Sequence, residues 1–317
     1  MALLGLLSRL AHKRALGLIV GHVDHGLRPQ AAAEAQQVRA LAASLGLPCE
    51  VTRIAIAPGP DLAARARDLR RAALKDIGAR RAAAWLALGH TATDQVETVL
   101  LHLTRGAGLA GLGGMHPARG ELLRPLLGMS RAQARRLAVL MELPFADDPS
   151  NDDTEHPRVR VRVEVLPQLR RLNPSLEHTV SEALMQVRDA ADLVRDLARA
   201  ALEAQLVAAG PAHGEMPPGR RLRAEGWRAI PPVVRLQALR DFCTAEGVDG
   251  AELAVVALKD ADAALCEWDA HLDPGGAATT PGGARARVFC VHPQRRLCVN
   301  RWGLQVESAG EGAAATP

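Results

Sequence analysis

The sequence predicts an α/β protein: a parallel sheet packed with helices, followed by a helical region and a small C-terminal α+β domain. In the first 130 residues, short apolar runs alternate with longer Ala- and Arg-rich segments of helical period. Parallel strands need helical crossovers, which are right-handed, so this alternation indicates a parallel sheet. A long amphipathic stretch at 175–206 indicates the helical region, and alternating apolar residues after 285 indicate the last domain.

Each element of the first half has its own signal. Helices are predicted at 2–13, 31–45, 61–77, 94–103 and 130–141, and strands at 16–23, 49–56 and 82–88. The run at 16–23 is continuously apolar, as in a strand that is buried on both faces. Gly46 and Gly78 are expected to end the second and third helices, because glycine adopts the left-handed conformation cheaply. Ser130 is a suitable N-cap for the last helix.

The second half is less regular. Residues 147–162 are polar without a clear period, 210–219 form a Gly/Pro-rich linker, and 222–269 look helical with breaks at Pro231 and Gly247. A hairpin is expected after residue 285, and the Gly/Ala-rich end is expected to be disordered. The predicted domains are therefore 1–145, 146–210 and 220–305, with a tail at 306–317.

Composition excludes several classes of protein. The chain has 317 residues, enough for two domains, and its net charge of +4 is only a weak sign of a polyanionic partner. Its five cysteines include no C-x-x-C pair, which argues against a zinc ribbon, an iron–sulfur site or a disulfide framework. Reduced thiols of a cytoplasmic protein fit best. No apolar run reaches the length of a membrane-spanning helix, so no membrane association is expected.

The stretch GHTATDQVET at 89–98 carries the clearest chemical signal. It follows a predicted strand and opens a helix that Thr91 can cap, with Asp94 in the reciprocal position. Asp94 and Glu97 are three residues apart and therefore share one helix face. His90 lies at the carboxyl end of the strand, where open parallel sheets bind ligands. Two carboxylates and an imidazole suggest a pocket for a metal ion or an ammonium group. The alternative is that the acidic residues only favour a helix N-terminus.

Further motifs occur in a specific order: HVDHGLR at 22–28, ARDLR at 66–70, RGAGLAGL at 105–112, RPLL at 124–127, and DDPSN at 147–151 followed by RVRVR at 158–162. In order and spacing they resemble the tRNA(Ile)-lysidine synthetases of the PP-loop (N-type) ATP pyrophosphatase superfamily. The resemblance covers residues 4–173 well and continues weakly through 232 and into 280–283. It implies a Rossmann-like, adenine nucleotide alpha hydrolase-like sheet.

The resemblance also implies a reaction. In it, ATP adenylates the C2 oxygen of the wobble cytidine in tRNA(Ile) with a CAU anticodon, and the ε-amine of free L-lysine then attacks C2. The product is lysidine, and Mg²⁺ offsets the phosphate charge. ATP and Mg²⁺ are thus the expected cofactors, and this tRNA and lysine are the expected partners. The oligomeric state stays open, with a homodimer as one alternative.

Catalytic roles follow by resemblance for Asp94, Arg67 and His90. Asp94 and Glu97 would hold the lysine ammonium, and Asp94 would also lie near Mg²⁺. His90 would lie beside the adenylated base or the phosphates, unless it only bonds to the next helix. Arg67 would face the ATP phosphates, which its planar fork suits, unless it is a plain surface arginine.

Two further groups are implied. The nucleotide crevice would be lined by His22, Asp24 and His25. The tRNA would be contacted by Arg105, Arg158 and Arg162. A solvated basic strip is the alternative for Arg158 and Arg162.

The sequence departs from the family pattern in ways that bear on function. The phosphate-binding loop Ser-Gly-Gly-x-Asp-Ser does not occur, and neither does the strand before it. We expect that Met1 is an internal methionine of a longer natural protein; the rival explanation is real truncation. Thr93 and Val159 stand where relatives often carry an acidic residue and asparagine. The alternative functions are a catalytically inert tRNA-binding remnant and another PP-loop tRNA-modifying enzyme, such as a thiolase.

Overall fold

The computed structural model describes residues 1–24, 26, 31–57, 59, 62–144, 156–207, 220–248, 253–270, 287–292, 295–300 and 303–308. The chain divides into two compact units, residues 1–188 and 189–317. This division falls inside a single long helix, whereas the sequence predicts boundaries near 145 and 210. A helix that belongs to both units has a uniform amphipathic pattern, so its sequence carries no boundary signal.

The first unit alternates helices and strands, which confirms the α/β class. Its helices are α1 (Ala2–Arg14), α2 (Ala31–Ser44), α3 (Leu62–Arg80), α4 (Ala92–Thr104), α5 (Leu109–Leu112), α6 (Arg131–Leu140), α7 (Pro157–Arg160) and α8 (Leu166–Leu172). Its strands are β1 (Val20–Asp24), β2 (Cys49–Arg53), β3 (Leu86–Ala87), β4 (Ala118–Arg119) and β5 (Leu122–Leu123). A five-residue π-helix, Val161–Val165, joins α7 to α8.

The strands of this unit form two separate sheets. β1 is parallel to β2, and β3 is parallel to β5, as expected for crossover connections. In the described residues, however, β1 and β3 share no ladder, and β4 adds an antiparallel partner to β5. The sequence predicts a parallel sheet that lacks its first strand, so the two parallel pairs agree with the prediction and the antiparallel β4 departs from it.

The third helix also differs from its predicted bounds. α3 continues through Gly78 to Arg80, because one glycine inside a helix costs only about 1 kcal/mol relative to alanine. The left-handed residue after the helix is Ala82, with φ 49°, and the amide of Ala83 closes the turn on the Gly78 carbonyl at 2.8 Å. This turn uses the start of the predicted strand and shortens β3.

The predicted aperiodic segment, 147–162, is helical from residue 157 within its described part, and the helical run continues to residue 172. Pro167 explains the π-helix that precedes it. Proline lacks an amide hydrogen, and its ring clashes with the carbonyl four residues earlier in an α-helix. The wider π turn, in which the Leu166 amide donates to Val161, relieves this conflict. π turns occur frequently at functional sites, and this one directly follows Arg158 and Arg160.

Two apolar clusters hold the first unit together. One joins α1, α2 and α6 through buried residues that include Ala2, Leu41 and Ala138. The other consists of Val96 on α4, Leu166 on α8 and Leu176. The second cluster fixes the π-helical segment against α4, and thereby against the acidic motif.

The second unit contains most of the long helix α9 (Leu176–Gln205), the helices α10 (Pro232–Ala245) and α11 (Val255–Ala270), and the strands β6 (Leu206–Val207), β7 (Arg221–Leu222), β8 (Arg287–His292), β9 (Arg295–Asn300) and β10 (Gly303–Ser308). The strand order is β6-β7-β10-β9-β8. The predicted hairpin after residue 285 is confirmed as β8 and β9. β10 corrects the prediction that disorder begins at 306, because its register with β9 runs through Ser308.

Trp227 is a fully buried side chain of the second unit's apolar core. Its indole Nε1 donates to Asp262 at 2.8 Å, and Arg235 pairs with the same carboxylate at 2.7 Å. The indole of Trp227 and the carboxylate of Asp262 are thus both paired. None of the helices in the described part of the chain is both long and apolar enough to cross a membrane.

Candidate functional site

The acidic motif begins at the carboxyl end of β3, as the sequence predicts. Leu88 extends the parallel ladder through its amide, which donates to Leu123 at 2.8 Å. The chain then turns into α4, with Thr91 as N-cap and Asp94 as its reciprocal partner. The capping box is confirmed, although α4 already begins at Ala92. Asp94 therefore has the local structural role that the alternative interpretation gives it.

The two oxygens of Asp94 have different environments. Oδ2 accepts hydrogen bonds from the Thr91 amide at 2.8 Å and from the Thr91 hydroxyl at 2.7 Å. Oδ1 faces Nη2 of Arg158 at 3.3 Å. Burial opposes ionisation of Asp94, but the Thr91 hydrogen bonds and the Arg158 charge outweigh it, so its pKa lies below the usual value. Asp94 is thus an anion whose Oδ1 makes one long contact, with Arg158, among the described residues.

Glu97 lies one turn further along α4, and its side chain is 0% exposed. Its Oε2 accepts from Nε of Arg158 at 2.7 Å, and its Oε1 accepts from Nε of Arg162 at 2.7 Å. Nη2 of Arg162 adds a third bond, to Oε2, at 3.1 Å. A buried carboxylate needs such compensation, because desolvating an unpaired charge is very costly. The sequence-predicted residues Asp94, Glu97, Arg158 and Arg162 therefore form one ionic cluster, the α4 ion cluster.

His90 lies next to this cluster. Its Nδ1 is buried and has no hydrogen-bond partner in the structure. Burial is the main reason that its pKa is lowered; Asp94 opposes the shift, and the charges of three arginines reinforce it. These are Arg124, Arg158 and Arg70. The lowered pKa favours the neutral imidazole of His90, and its Nδ1 is a buried polar atom whose hydrogen-bonding capacity is unused.

The lowered pKa of His90 predicts a pH dependence of stability. As pH falls through and below the ordinary histidine pKa of about 6.5, the unfolded chain binds more protons than the folded chain, so stability decreases. His90→Gln removes this contribution. We expect a smaller loss in the free energy of unfolding for His90→Gln than for the wild type between about pH 7.5 and about pH 5. Urea unfolding at several pH values measures it. His178→Gln, at an exposed histidine, is the matched control; identical pH slopes for His90→Gln and wild type would contradict the prediction.

Sequence reasoning assigned no role to Arg124 and Arg70, although both lie in quoted motifs. Arg124 is buried, its Nη1 donates to the His116 carbonyl at 2.7 Å, and its Nε has no partner in the structure. Partial desolvation lowers the pKa of Arg70, and the like charges of Arg67 and Arg71 add to this. A buried guanidinium with an unsatisfied donor fits an anionic ligand. No local pattern separates it from the many other arginines of this chain.

A polar network holds the start of α4 in place. The Thr93 hydroxyl donates to Glu177 at 3.2 Å and accepts from the Arg131 amide at 3.0 Å. Glu177 is in turn paired with Arg170. Burial opposes ionisation of Glu177, but Arg170 and other hydrogen bonds outweigh it and lower its pKa. Thr93 thus connects α4 to α6 and to the beginning of α9.

The other side of α4 is held by Gln95, whose amide exchanges two hydrogen bonds of 2.7 Å with the backbone of Met115. Gly114 makes this approach possible. It has φ +67°, and a Cβ there would lie 2.8 Å from Oε1 of Gln95. A side chain at 114 would therefore be strained and would displace the amide.

The remaining predicted site residues are not part of the α4 ion cluster. Arg67 is exposed and lies 3.9 Å from Asp68, and the arginine of its helix that acts on His90 is Arg70. Arg105 is the exposed C-cap of α4, about 16 Å from Asp94 at 1.5 Å per residue. Asp24 ends β1, and its carboxylate accepts from the Gly26 amide at 2.8 Å. His22 lies within β1, and His25 lies outside the described residues. Their nucleotide and tRNA roles stay predictions.

The charges define what this region can bind. Among the described residues, its carboxylates are Asp94 and Glu97, and its guanidinium groups are those of Arg70, Arg124, Arg158 and Arg162. Such an excess of positive charge suits phosphate groups, while Oδ1 of Asp94 suits a cation. Among the described residues, no three or more His, Cys, Asp or Glu side chains come together to hold a metal ion. The Mg²⁺ assignment of Asp94 stays a prediction.

Comparisons with known proteins identify the family of the chain. Residues 1–169 match the family model ATP_bind_3, described as a PP-loop domain. The chain is 36% identical over 272 residues to the tRNA(Ile)-lysidine synthase of Streptomyces coelicolor, covering 84% of this chain and 73% of that protein. It is also 36% identical to the enzyme of the same name from Thermobifida fusca, with coverages of 83% and 80%. For the Leifsonia xyli protein the identity is 40%, with coverages of 71% and 66%.

A solved structure shows the same fold. The U34-tRNA thiolase NcsA from Methanococcus maripaludis superposes with a TM-score of 0.50 over 59% of this chain and 66% of that chain, at 17% identity. This likeness supports the α/β, adenine nucleotide alpha hydrolase-like class predicted from the sequence. The family model covers more than half of the chain, and the relatives cover most of it. The chain therefore belongs to the tRNA(Ile)-lysidine synthase family of PP-loop enzymes.

Proposed function

We propose that this protein attaches L-lysine to C2 of the wobble cytidine in tRNA(Ile) with a CAU anticodon, through an adenylated tRNA intermediate. The observation that carries the proposal is the environment of the Asp94 carboxylate. One of its oxygens is fixed by Thr91, and the other has a single long contact with Arg158 beside a neutral histidine. The site can therefore bind a cation and a phosphate-bearing substrate next to each other. The cytoplasmic location and the homodimer remain predictions.

The ammonium group of lysine is assigned to Asp94 first. Its side chain is 23% exposed, whereas that of Glu97 is fully buried beneath two arginines. Glu97 can contact lysine only if these arginines move. The prediction that Glu97 also binds lysine is therefore retained, with Asp94 as the primary ligand.

The phosphate groups are assigned to the cationic side of the site. The unpartnered donor of Arg124 and the nearby Arg70 fit anionic oxygens, which arginine binds with charge-assisted hydrogen bonds. ATP would supply the adenylyl group that activates C2, and Mg²⁺, held by phosphate oxygens and Asp94, would offset their charge. Arg67, His22, Asp24 and His25 are retained as proposed contacts of the nucleotide.

His90 is assigned the proton transfer. The ε-amine of lysine must lose a proton before its lone pair can attack carbon. A neutral imidazole can accept that proton through a ring nitrogen and act as a general base. The low pKa of His90, caused mainly by burial, keeps it unprotonated at neutral pH.

The tRNA is assigned to Arg105, Arg158 and Arg162. Arg105 is exposed, and the other two lie at the edge of the site on one helical run. Neutralising backbone phosphates releases counterions, so tRNA binding should weaken steeply with salt.

A labelled-lysine assay tests the proposal. We expect incorporation of lysine into a tRNA(Ile) transcript with a CAU anticodon that requires both ATP and the wobble cytidine. The ATP requirement is the discriminating measurement, because the Ser-Gly-Gly-x-Asp-Ser motif does not occur in this sequence. Binding of tRNA without any turnover would favour the inert remnant. Sulfur transfer to tRNA in place of lysine incorporation would favour a thiolase.

A further inference from the structure

Arg158 occupies the place that the substrate ammonium group needs. Its guanidinium bridges both carboxylates of α4, with Nη2 at 3.3 Å from Oδ1 of Asp94 and Nε at 2.7 Å from Oε2 of Glu97. A lysine ammonium at Oδ1 would therefore compete directly with Nη2. Because the competing guanidinium belongs to the same chain, its effective concentration at Asp94 is always high.

We propose that Arg158 is a specificity-determining residue that excludes free lysine from Asp94 until a phosphate-bearing ligand draws Arg158 away. This inference rests on the proposed function, because it concerns the order in which the substrates of that reaction bind. It makes the lysine site conditional on bound tRNA. Lysine would then bind at Asp94 only when the tRNA that accepts it is already bound.

The geometry selects Arg158 as the arginine that moves. Arg162 holds Glu97 with two nitrogens, at 2.7 and 3.1 Å, and its side chain is 19% exposed. Arg158 places one nitrogen on each carboxylate, its Asp94 contact is long, and its side chain is 35% exposed. When Arg158 leaves, Glu97 keeps a bidentate partner. Glu97 then loses one of its two arginines and Asp94 loses its contact with Arg158, and Asp94 is the residue assigned to the ammonium.

The charge balance gives the direction of the coupling. With Arg158 in place, the two carboxylates of the α4 ion cluster are matched by two guanidinium groups, and an ammonium added at Asp94 would face the positive charge of Arg158. A phosphate that binds Arg158 removes one positive charge from Asp94 and brings negative charge to the region. Both changes favour the ammonium. Linkage then requires that lysine strengthen phosphate binding by the same factor.

Calorimetric titration of L-lysine into the full chain tests the proposal, with and without saturating tRNA(Ile) transcript and with no ATP present. We expect tRNA to tighten lysine binding to the wild type by about 5- to 150-fold, the usual range for coupled sites. Arg158→Gln should bind lysine without tRNA more tightly than the wild type does, and tRNA should add little. Arg158→Lys keeps the positive charge and should keep the tRNA dependence.

Arg160→Gln is the matched control, since Arg160 lies on the same helix and is exposed beside Glu164; it should behave as the wild type. Equal lysine affinities of the wild type and Arg158→Gln without tRNA would overturn the proposal. An unchanged lysine affinity of the wild type on addition of tRNA would overturn it as well. Lysine incorporation into tRNA is measured in parallel. If incorporation persists while the coupling is absent, this inference alone is wrong. If neither lysine binding nor incorporation occurs, the proposed function is wrong and this inference falls with it.

Discussion

Glu97→Gln is expected to lower the free energy of unfolding by about 3 kcal/mol. The substitution keeps the shape of the side chain but removes the charge that two arginines share. Breaking a buried ion pair from one side typically costs about 3–5 kcal/mol, because the remaining charge stays buried without compensation. The lower end of that range applies here, since Arg158 and Arg162 keep some contact with solvent. Denaturant unfolding, followed by a probe of the first unit, measures the change.

The control for this effect lies on the adjoining π-helix. Glu164 pairs with Arg160 at 3.7 Å, and both side chains are more than half exposed. Exposed pairs contribute little, so Glu164→Gln should change stability by less than about 1 kcal/mol. Similar losses for Glu97→Gln and Glu164→Gln would show that the α4 ion cluster is not the buried counter-charge system that its geometry indicates.

The parts of the site that the sequence predicts are those with local signals. Thr91 and Asp94 are three residues apart, and the capping box follows from that spacing alone. The shared face of Asp94 and Glu97 follows from helical periodicity. Ser130 caps α6 for the same local reason, and its box with Gln133 is formed.

The remaining contacts depend on distant parts of the chain. Glu97 meets Arg158 and Arg162 across 61 and 65 residues, and Thr93 meets Glu177 across 84. Periodicity cannot identify such partners in a chain with so many arginines. The helix before Pro167 could not be recognised from the sequence, because the residues of its π turn do not repeat with a period of 3.6. An internal proline, read only as a helix breaker, gives the opposite prediction.

The pairing of the strands could not be predicted from the sequence either. The apolar runs correctly locate β1, β2 and β3, but they do not specify which strands pair. β3 and β5 are only two residues long and are completed by neighbouring backbone bonds, such as the one from the Leu86 amide to Glu121. Pairing depends on which backbone groups meet in space, and an apolar run carries no information on its partner.

Asp94→Asn is expected to reduce kcat/KM for lysine by roughly 30- to 4000-fold, equivalent to about 2–5 kcal/mol for one partner of a buried, hydrogen-bonded charge pair. Asparagine has nearly the same shape, and its carbonyl oxygen can still accept from Thr91. What it lacks is the negative charge at the position of Oδ1. The measurement is lysine incorporation at saturating tRNA and ATP. Asp68→Asn, at an exposed carboxylate beside Arg67, is the matched control and should keep full activity.

The same variant separates the two roles of Asp94. If Asp94 serves only as a capping residue, Asp94→Asn should lose activity only as far as it loses stability, and a helix N-terminus loses just about 0.3–1 kcal/mol with its charge. If Asp94 binds the ammonium group, activity should fall far more than folding stability, and the loss should appear in the KM for lysine rather than for ATP. Parallel measurements of unfolding and of both KM values decide between them. The capping box and the cation site use different oxygens of one carboxylate, so the two roles are compatible, and only the second requires the charge.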